Sequence, residues 1–335
     1  MTDVPPIALR NLKTSVVICT CNGASYVVEQ FQSILGQSRI PDEIILGDDA
    51  STDETWSLVQ AFVAQARSRG IAISATRNAE RLGYVGNFSR ALSRVSGQVV
   101  FLCDQDDAWH PDKIATMLGD FERDDGLTFL HSDARLVDRE GNDLGYGLFD
   151  ALEVTRRERT GIRQGNAFAV YLRRNLATGA ASAFRSSLLE LALPLPPDWV
   201  HDAWLATLAA ASGRLAVIDD ALVDYRQHGA NQIGIARRTA KRRLSDMFRS
   251  RSEAIRKDAE RMDVLINRLR AGNVPVARIA LAEAMRAHLR VRLVLSARPL
   301  VSRLPSVARE WVSGRYARFG TGARSAIRDL LRVGG

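Results

Sequence analysis

Cysteine is scarce in this sequence, which holds three in 335 residues, namely Cys19, Cys21 and Cys103. Three thiols are too few, and too irregularly placed, for a disulfide framework or a cysteine zinc site. A low cysteine content is typical of proteins that remain in a reducing compartment. We therefore expect a chain without structural disulfides.

Long hydrophobic runs are absent as well. No stretch of about 18 consecutive apolar residues occurs, so the sequence predicts no membrane-spanning helix. Residues 1–14 lack the apolar segment of a secretory signal peptide, and we expect a cytoplasmic protein. Apolar residues make up 46% of the chain and charged residues 25%, a balance typical of folded globular proteins.

Two common nucleotide-binding motifs are also missing. The motif Gly-x-Gly-x-x-Gly does not follow the first apolar run, and the P-loop motif Gly-x-x-x-x-Gly-Lys-Ser/Thr is found nowhere in the sequence. A dinucleotide cofactor or a P-loop nucleotide is therefore not expected. Any phosphate group that the protein binds must be held by other means.

Charge is distributed unevenly along the chain. Residues 1–236 contain 22 basic and 30 acidic side chains, whereas residues 237–335 contain 24 basic and 8 acidic ones. In the second region apolar residues recur at helical spacing among arginines, which predicts basic amphipathic helices. Such helices suit an anionic membrane surface, and they also suit packing on a main domain with the arginines in water. We expect an N-terminal arm over 1–13, a main domain over 14–236 and a basic helical region over 237–335.

Strand-like and helix-like segments alternate in the first part of the main domain. Short β-branched runs, each ending at a polar cluster, predict strands at Ser15–Cys19, Glu43–Leu46, Ile71–Ala75 and Val99–Cys103. Apolar residues at helical spacing predict helices at Tyr26–Leu35, from Trp56 to Arg69 and at Val85–Val95. This alternation predicts an α/β fold with a doubly wound, mostly parallel sheet flanked by helices.

Three polar clusters follow the predicted strands, at Thr20–Gly23, Asp48–Asp53 and Asp104–Asp107. Because ligands of such sheets bind outside the carboxyl ends of the strands, we expect the clusters to form one site. Three carboxylates within Asp104–Asp107 repel one another unless a cation neutralises them, and Mg²⁺ or Mn²⁺ suits so few protein ligands. The alternative is that this segment is an acidic helix N-terminus.

The three clusters, with their flanking strands, resemble the successive motifs of glycosyltransferase family 2. The matching segments are Ser15–Asn22, Asp48–Asp53 and Phe101–Asp112, and the resemblance covers roughly residues 14–232. It implies a GT-A fold and an inverting enzyme that uses a sugar nucleotide. Two further segments, Asp104–Trp109 and Tyr225–Asn231, resemble the bacterial rhamnosyltransferase branch, which uses dTDP-L-rhamnose.

The resemblance also implies roles for individual residues. It places the nucleotide against Cys19, Thr20, Asn22, Asp49, Arg81 and Asp104. Asp49 would accept a hydrogen bond from the pyrimidine N3–H, and Asp104 would lie near the ribose. Arg77 is an alternative to Arg81 for the nucleotide contact. The family often has tyrosine at the position of Cys21, which leaves base stacking open.

Metal binding and proton transfer involve three further residues. The resemblance implies that Asp106 binds the metal ion bridging the diphosphate, and that Asp202 takes the proton from the acceptor hydroxyl. Asp202 stands at the start of a predicted helix, so helix capping is an alternative role. His228 follows an apolar strand in a polar loop, where it can complete the metal site, touch the diphosphate or simply be exposed.

The sequence thus predicts a metal-dependent inverting glycosyltransferase with a dTDP- or UDP-sugar donor, rhamnose being one candidate sugar. The acceptor would be a glycan or a lipid-linked saccharide in cell-surface polysaccharide synthesis. The basic C-terminal region would hold the enzyme on the inner leaflet of the cell membrane. One alternative is a metal-dependent nucleotidyltransferase, although the first loop lacks the glycine-rich, basic character of that class. The other is a nucleic-acid-binding protein, which is disfavoured because aromatic residues do not alternate with the arginines.

Overall fold

The computed structural model of the chain describes residues 11–229, 252–296 and 298–331. The predicted domain boundary between residues 236 and 237 lies outside the described residues. So do most of the predicted N-terminal arm and the end of the Tyr225–Asn231 motif. All three cysteines are unpaired, as expected.

A nine-stranded sheet organises the described part of the main domain. Its strands are β1 (Thr14–Thr20), β2 (Glu43–Asp48), β3 (Ala72–Arg77), β4 (Val99–Cys103), β5 (Ala108–Trp109), β6 (Leu127–Val137), β7 (Asp143–Gly147), β8 (Ser182–Arg185) and β9 (Arg214–Arg226). The four strands predicted before residue 104 are confirmed, with ends that differ by at most two residues.

The strand order is β3-β2-β1-β4-β8-β6-β9-β5, with β7 paired to β6. The first four strands in this order are parallel, and so is the β6–β9 pair. Strand β8 is antiparallel to both β4 and β6, so it joins the two parallel parts into one sheet. The expected mostly parallel sheet is confirmed.

Nine helices accompany the sheet within the described part of the main domain. They are α1 (Val27–Leu35), α2 (Thr55–Ser68), α3 (Gly83–Leu92), α4 (Lys113–Arg123), α5 (Leu148–Ala151), α6 (Arg156–Arg163), α7 (Ala167–Arg173), α8 (Leu189–Ala192) and α9 (His201–Ser212). Side chains of β1 alternate between two apolar clusters, with Val17 in one and Val16 and Ile18 in the other. Because strand side chains point alternately to opposite faces, the sheet is buried on both sides.

Five helices make up the described part of the basic C-terminal region. They are α10 (Ser252–Ala271), α11 (Val276–Ser296), α12 (Leu300–Val312), α13 (Arg315–Phe319) and α14 (Ala323–Leu331). The buried side chains of Leu265 and Leu289 belong to the same apolar cluster as Trp204 of α9. The helices α10 and α11 therefore pack directly on the α/β unit.

Arginines of α10 and α11 tie these helices to the α/β unit. The Arg268 guanidinium donates hydrogen bonds to the carbonyls of Leu191 and Leu193, at 2.8 and 2.9 Å, and lies over the Trp204 ring. Arg261 Nε donates to the Asp198 carbonyl at 2.8 Å. These two arginines therefore help to pack α10 on the α/β unit. None of the described helices has the length and apolar character needed to cross a membrane.

Candidate functional site

One cavity of about 990 Å³ opens at the carboxyl ends of β1, β2 and β4. All nine residues predicted to form the site line it, namely Cys19, Thr20, Asn22, Asp49, Arg81, Asp104, Asp106, Asp202 and His228. The parallel register of the three strands explains this convergence, since their ends meet at one edge of the sheet. The volume suits a ligand of nucleotide size.

The loop after β1 is attached to the loops that follow β2 and β4. Gln105 accepts a hydrogen bond from the Cys21 N–H at 2.7 Å and donates one to the Cys21 carbonyl at 3.1 Å. A Cβ atom on Gly23 would lie 2.3 Å from Gln105 Oε1, so this close approach requires glycine. The Asn22 carboxamide oxygen accepts the Thr52 N–H at 2.8 Å. The three polar clusters therefore form one connected wall.

Asp49 is held in a fixed orientation by three donors. Its Oδ1 accepts hydrogen bonds from Asn78 Nδ2 at 2.9 Å and from the Leu82 N–H at 2.7 Å, and its Oδ2 accepts the Gly83 N–H at 2.9 Å. Gly83 is the first residue of α3, where free N–H groups favour a carboxylate. An ionised carboxylate accepts about four hydrogen bonds, so Asp49 keeps capacity for a ligand donor.

The structure distinguishes between the two arginines considered for the nucleotide contact. Arg81 lines the cavity. Arg77 Nε lies 3.6 Å from Asp48 Oδ2, and its guanidinium donates to the Ser51 carbonyl. Arg77 is not among the described residues that line the cavity. Of the two arginines Arg77 and Arg81, only Arg81 therefore lines the cavity.

The acidic cluster after β4 is divided between the cavity and the interior. Asp104 and Asp106 line the cavity, whereas Asp107 is buried and accepts the Arg226 N–H at 2.9 Å. Of the three carboxylates in this cluster, Asp107 therefore does not line the cavity, because the end of β9 engages it. Burial, and then the charge of Asp106, raise the pKa of Asp104 to about 7.

Asp106 and His228 are in direct contact within the cavity and are the two residues that could hold a divalent cation. His228 Nε2 lies 2.8 Å from Asp106 Oδ2, and the Tyr26 ring stacks on the imidazole with a centroid distance of 4.6 Å. In the part of the chain that the structure describes, no group of three or more His, Cys, Asp or Glu side chains is placed to hold a metal ion. Two protein ligands fit Mg²⁺ or Mn²⁺ only when substrate oxygens complete the coordination.

Asp202 lies in the first turn of α9, on the wall that carries the loop before β8. Its Oδ2 accepts the Gly179 N–H at 2.9 Å, and its Oδ1 accepts a hydrogen bond from Asn175 Nδ2 at 3.1 Å. Burial raises the pKa of Asp202 to about 6, although these hydrogen bonds oppose the shift. A fixed carboxylate with this pKa is ionised at neutral pH and can accept a proton.

The family of the chain follows from its sequence match. The profile described as glycosyl transferase family 2 matches residues 15–190, just over half of the chain. The chain belongs to glycosyl transferase family 2. The matched segment contains all three polar clusters of the cavity wall.

Curated relatives are similar in sequence to part of this family 2 chain. An uncharacterised glycosyltransferase of Nostoc is 27% identical over 225 residues, which cover 66% of each protein. Chondroitin synthase of Escherichia coli is 28% identical over 141 residues, which cover 40% of this chain and 19% of that protein. The chain thus spans less than two thirds of the length of these relatives.

Solved structures share the fold of the family 2 chain. The Staphylococcus aureus protein TarS 1–349, in complex with UDP-GlcNAc, has a TM-score of 0.59 and 15% identity over 94% of this chain and 90% of that chain. The mannosyltransferase PcManGT of Pyrobaculum calidifontis, in complex with GDP-Man and Mn²⁺, has a TM-score of 0.54 and 19% identity over 98% of this chain and 88% of that chain. At these identities the comparison concerns the fold alone, and the expected GT-A architecture is confirmed.

His201 is a residue of the family 2 site that sequence reasoning missed. Its buried imidazole lines the cavity and stacks on Phe88, with a centroid distance of 4.0 Å. Neither ring nitrogen has a hydrogen-bond partner among the described residues, and burial lowers the pKa of His201 to about 3. A Cβ atom on Gly179 would lie 2.8 Å from His201 Nε2, so the neutral ring requires glycine beside it.

Other missed residues come from segments far from the sequence motifs. Tyr84 of α3, Arg139 after β6 and Arg261 of α10 all line the cavity. Arg261 belongs to the basic helical region, for which packing on the main domain was one of the two expectations. Arg261 could not be singled out from the sequence, because it is one arginine among many basic residues.

A second cavity of about 620 Å³ lies beside the first and shares Gly83 and Tyr84 with it. Leu82, Leu193 and Pro194 contribute to its lining. The two cavities together offer a polar site and an adjoining apolar one.

Proposed function

We propose that the chain is an inverting, metal-dependent glycosyltransferase. It transfers a sugar from a nucleotide-diphosphate donor to a hydroxyl group of a glycan or lipid-linked saccharide in polysaccharide synthesis. The observation that carries this proposal is the presence of Asp49, Asp106 and Asp202 in one cavity. We assign these three carboxylates to the base contact, the metal ligand and the proton acceptor, respectively.

Donor recognition uses the wall formed by the loops after β1 and β2. Asp49 accepts the N3–H of a pyrimidine base, while Cys19, Thr20 and Asn22 line the base and Arg81 contacts the nucleotide. Support for a sugar nucleotide comes from the lining of the cavity and from TarS and PcManGT, whose structures contain UDP-GlcNAc and GDP-Man; of these two nucleotides, only UDP has a pyrimidine base. A dTDP- or UDP-sugar is the proposed donor, and the rhamnosyltransferase-like segment Asp104–Trp109 favours dTDP-L-rhamnose.

Asp106 and His228 would hold the Mg²⁺ or Mn²⁺ ion, with Asp104 near the ribose. The metal ion supplies neutralisation of charge on the departing nucleoside diphosphate. The protein would contribute these two ligands, and diphosphate oxygens would complete the coordination. His228 Nε2 and Asp106 Oδ2 lie 2.8 Å apart, so the two side chains are close enough to share one cation.

Asp202 is the proposed general base. Two hydrogen bonds fix its carboxylate, and its position in the same cavity as Asp106 lets it receive the proton of the attacking hydroxyl. Inversion follows when the hydroxyl attacks the anomeric carbon from the face opposite the diphosphate. The apolar cavity beside Tyr84 is the proposed place for the acceptor.

The rate of sugar transfer should depend on pH through Asp202. Its pKa of about 6 implies that the carboxylate is protonated, and therefore inactive as a base, below that pH. We expect kcat to rise about tenfold per pH unit up to roughly pH 6 and to level off above it. Measuring the rate of sugar transfer at saturating donor, from about pH 5 to about pH 8, tests this pH dependence. A flat profile would contradict the role of Asp202.

A donor screen tests the function itself. The full chain would be incubated with dTDP-, UDP- and GDP-sugars in the presence of Mn²⁺, Mg²⁺ or EDTA, and thermal shift and donor hydrolysis would be recorded. We expect a pyrimidine sugar nucleotide to be bound and slowly hydrolysed only when metal is present. Release of pyrophosphate from a nucleoside triphosphate and a sugar phosphate would instead identify a nucleotidyltransferase.

A lipid-linked acceptor requires the enzyme to work at a membrane surface. The basic region over 237–335 is the proposed means of attachment to the anionic inner leaflet. Because α10 and α11 use several arginines in packing, the attachment surface is expected on other helices of this region.

A further inference from the structure

The helix α12 exposes an apolar face. Successive helical residues are separated by about 100°, which places five apolar side chains within an arc of about 120°. Their exposed fractions are 54% for Leu300, 76% for Val301, 53% for Leu304, 50% for Trp311 and 86% for Val312. Large apolar side chains clustered at this exposure mark a surface that contacts another apolar phase.

The side of α12 that adjoins the arc is fixed to its neighbours, so the helix cannot rotate to bury the apolar arc. Val307 packs in a small cluster with Tyr316. Glu310 Oε2 lies 2.7 Å from His288 Nδ1, and both side chains are buried. Arg303 is buried as well and donates a hydrogen bond to the Leu330 carbonyl at 3.1 Å.

The exposed charged side chains of residues 298–331, the segment that contains the arc, are all positive. Residues 298–331 contain two acidic side chains, Glu310 and Asp329, and both are buried. Asp329 is paired with Arg292 at 2.7 Å. The exposed cations of this segment are Arg298, Arg309, Arg318 and Arg324. Within the described ranges, no carboxylate forms an ion pair with any of these four.

We propose that α12 binds an anionic lipid surface, with its apolar arc at the boundary between headgroups and acyl chains. The arginines beside the arc then face the lipid phosphates. Trp311 suits this boundary because its ring is apolar and its N–H is polar. The assignment rests on the membrane attachment proposed above, but it does not depend on the chemistry of sugar transfer.

Charge and composition favour lipid over the other occupants of this face. A second copy would bring one cationic surface against another in a two-fold dimer, where like charges oppose association. Nucleic acid would satisfy the arginines and leave the apolar arc in water. An anionic bilayer satisfies both features of the surface at once.

Vesicle sedimentation with the full chain tests the proposal. We expect binding to phosphatidylcholine vesicles that contain roughly 30% phosphatidylglycerol, and weak binding to phosphatidylcholine alone. Replacing both Trp311 and Val312 by serine should weaken binding at least tenfold. Replacing Arg309 and Arg324 by glutamine should also weaken it about tenfold, with a reduced dependence on salt.

The matched control is Val276→Ser, which removes a valine that is 80% exposed on α11 and outside the arc. This variant should bind vesicles as the unaltered chain does. A thermal midpoint within about 2 °C of the unaltered chain confirms that each variant is folded.

Three results would overturn the proposal. They are equal binding to neutral and anionic vesicles, binding that survives the serine substitutions, and a dimer that dissociates when Trp311 is replaced. Salt-dependent binding of RNA without vesicle binding would assign the face to nucleic acid. Donor hydrolysis in solution separates this proposal from the proposed function, since the serine variant should keep it unchanged. Vesicle binding without any donor turnover would contradict the function alone.

Discussion

Replacing Asp202 by asparagine is expected to lower the rate of sugar transfer about 10³-fold and to leave donor binding unchanged. Asparagine keeps the size of the side chain and an oxygen that accepts the Gly179 N–H. It loses the acceptor for Asn175 Nδ2, which keeps its hydrogen bond to the Ala177 carbonyl. It cannot accept the proton of the acceptor hydroxyl, because an amide is not basic at neutral pH. Transfer would be measured as nucleoside diphosphate release, and donor binding by calorimetry with metal present.

The control for this experiment is Asp198→Asn. Asp198 is exposed four residues before Asp202, and its contact with Arg261 is made by its backbone carbonyl, which the substitution keeps. We expect this variant to retain full activity. If Asp202→Asn also retained activity, Asp202 would be a helix N-terminal residue without a role in proton transfer, and the base would have to be sought elsewhere in the cavity.

Replacing Asp106 by alanine is expected to abolish metal-dependent donor binding and to reduce transfer more than about 10²-fold. The alanine variant loses one of two protein ligands and leaves His228 without its 2.8 Å partner Asp106. The diphosphate would then keep its charge in the transition state. The measurement is the thermal shift that donor and Mn²⁺ produce together, compared with the shift from donor in EDTA.

Asp120→Ala is the matched control, because Asp120 lies on α4 and pairs with Arg123 rather than with any residue of the cavity. It should leave both the shift and the rate unchanged. A metal-dependent shift that persisted in Asp106→Ala would remove Asp106 from the metal site. The thermal shift also separates the two proposed roles, because Asp202→Asn should keep the metal-dependent shift that Asp106→Ala loses.

Much of the fold and most of the site could be predicted from local sequence patterns. The strands β1 to β4 are short β-branched runs bounded by polar turns, and the helices between them have a clear apolar periodicity. Each of these patterns spans about 15 residues or fewer, so it can be recognised without the tertiary structure. Once parallel strands are inferred, the polar residues after them must meet at one edge. This is why Asp49, Asp104 and Asp106 could be assigned to one cavity.

The remaining features depend on contacts between distant segments. Nothing near Asp107 in the sequence indicates that the Arg226 N–H, at the end of β9, will bind it. The same applies to β8, which is inserted antiparallel between β4 and β6. The structure was also needed to find His201 beside Gly179, since their approach follows from the packing of α9 against the loop before β8.

The basic C-terminal region shows the same division. Its sequence alone determined that the region is strongly cationic and that its described part is helical, because helical periodicity and charge are local properties. Only the tertiary structure decided which faces are covered. It placed α10 on the α/β unit with Arg261 at the cavity, and it left the apolar arc of α12 exposed. The physical reason is that an apolar stripe has the same periodicity whether protein, lipid or water lies against it, and packing alone distinguishes among them.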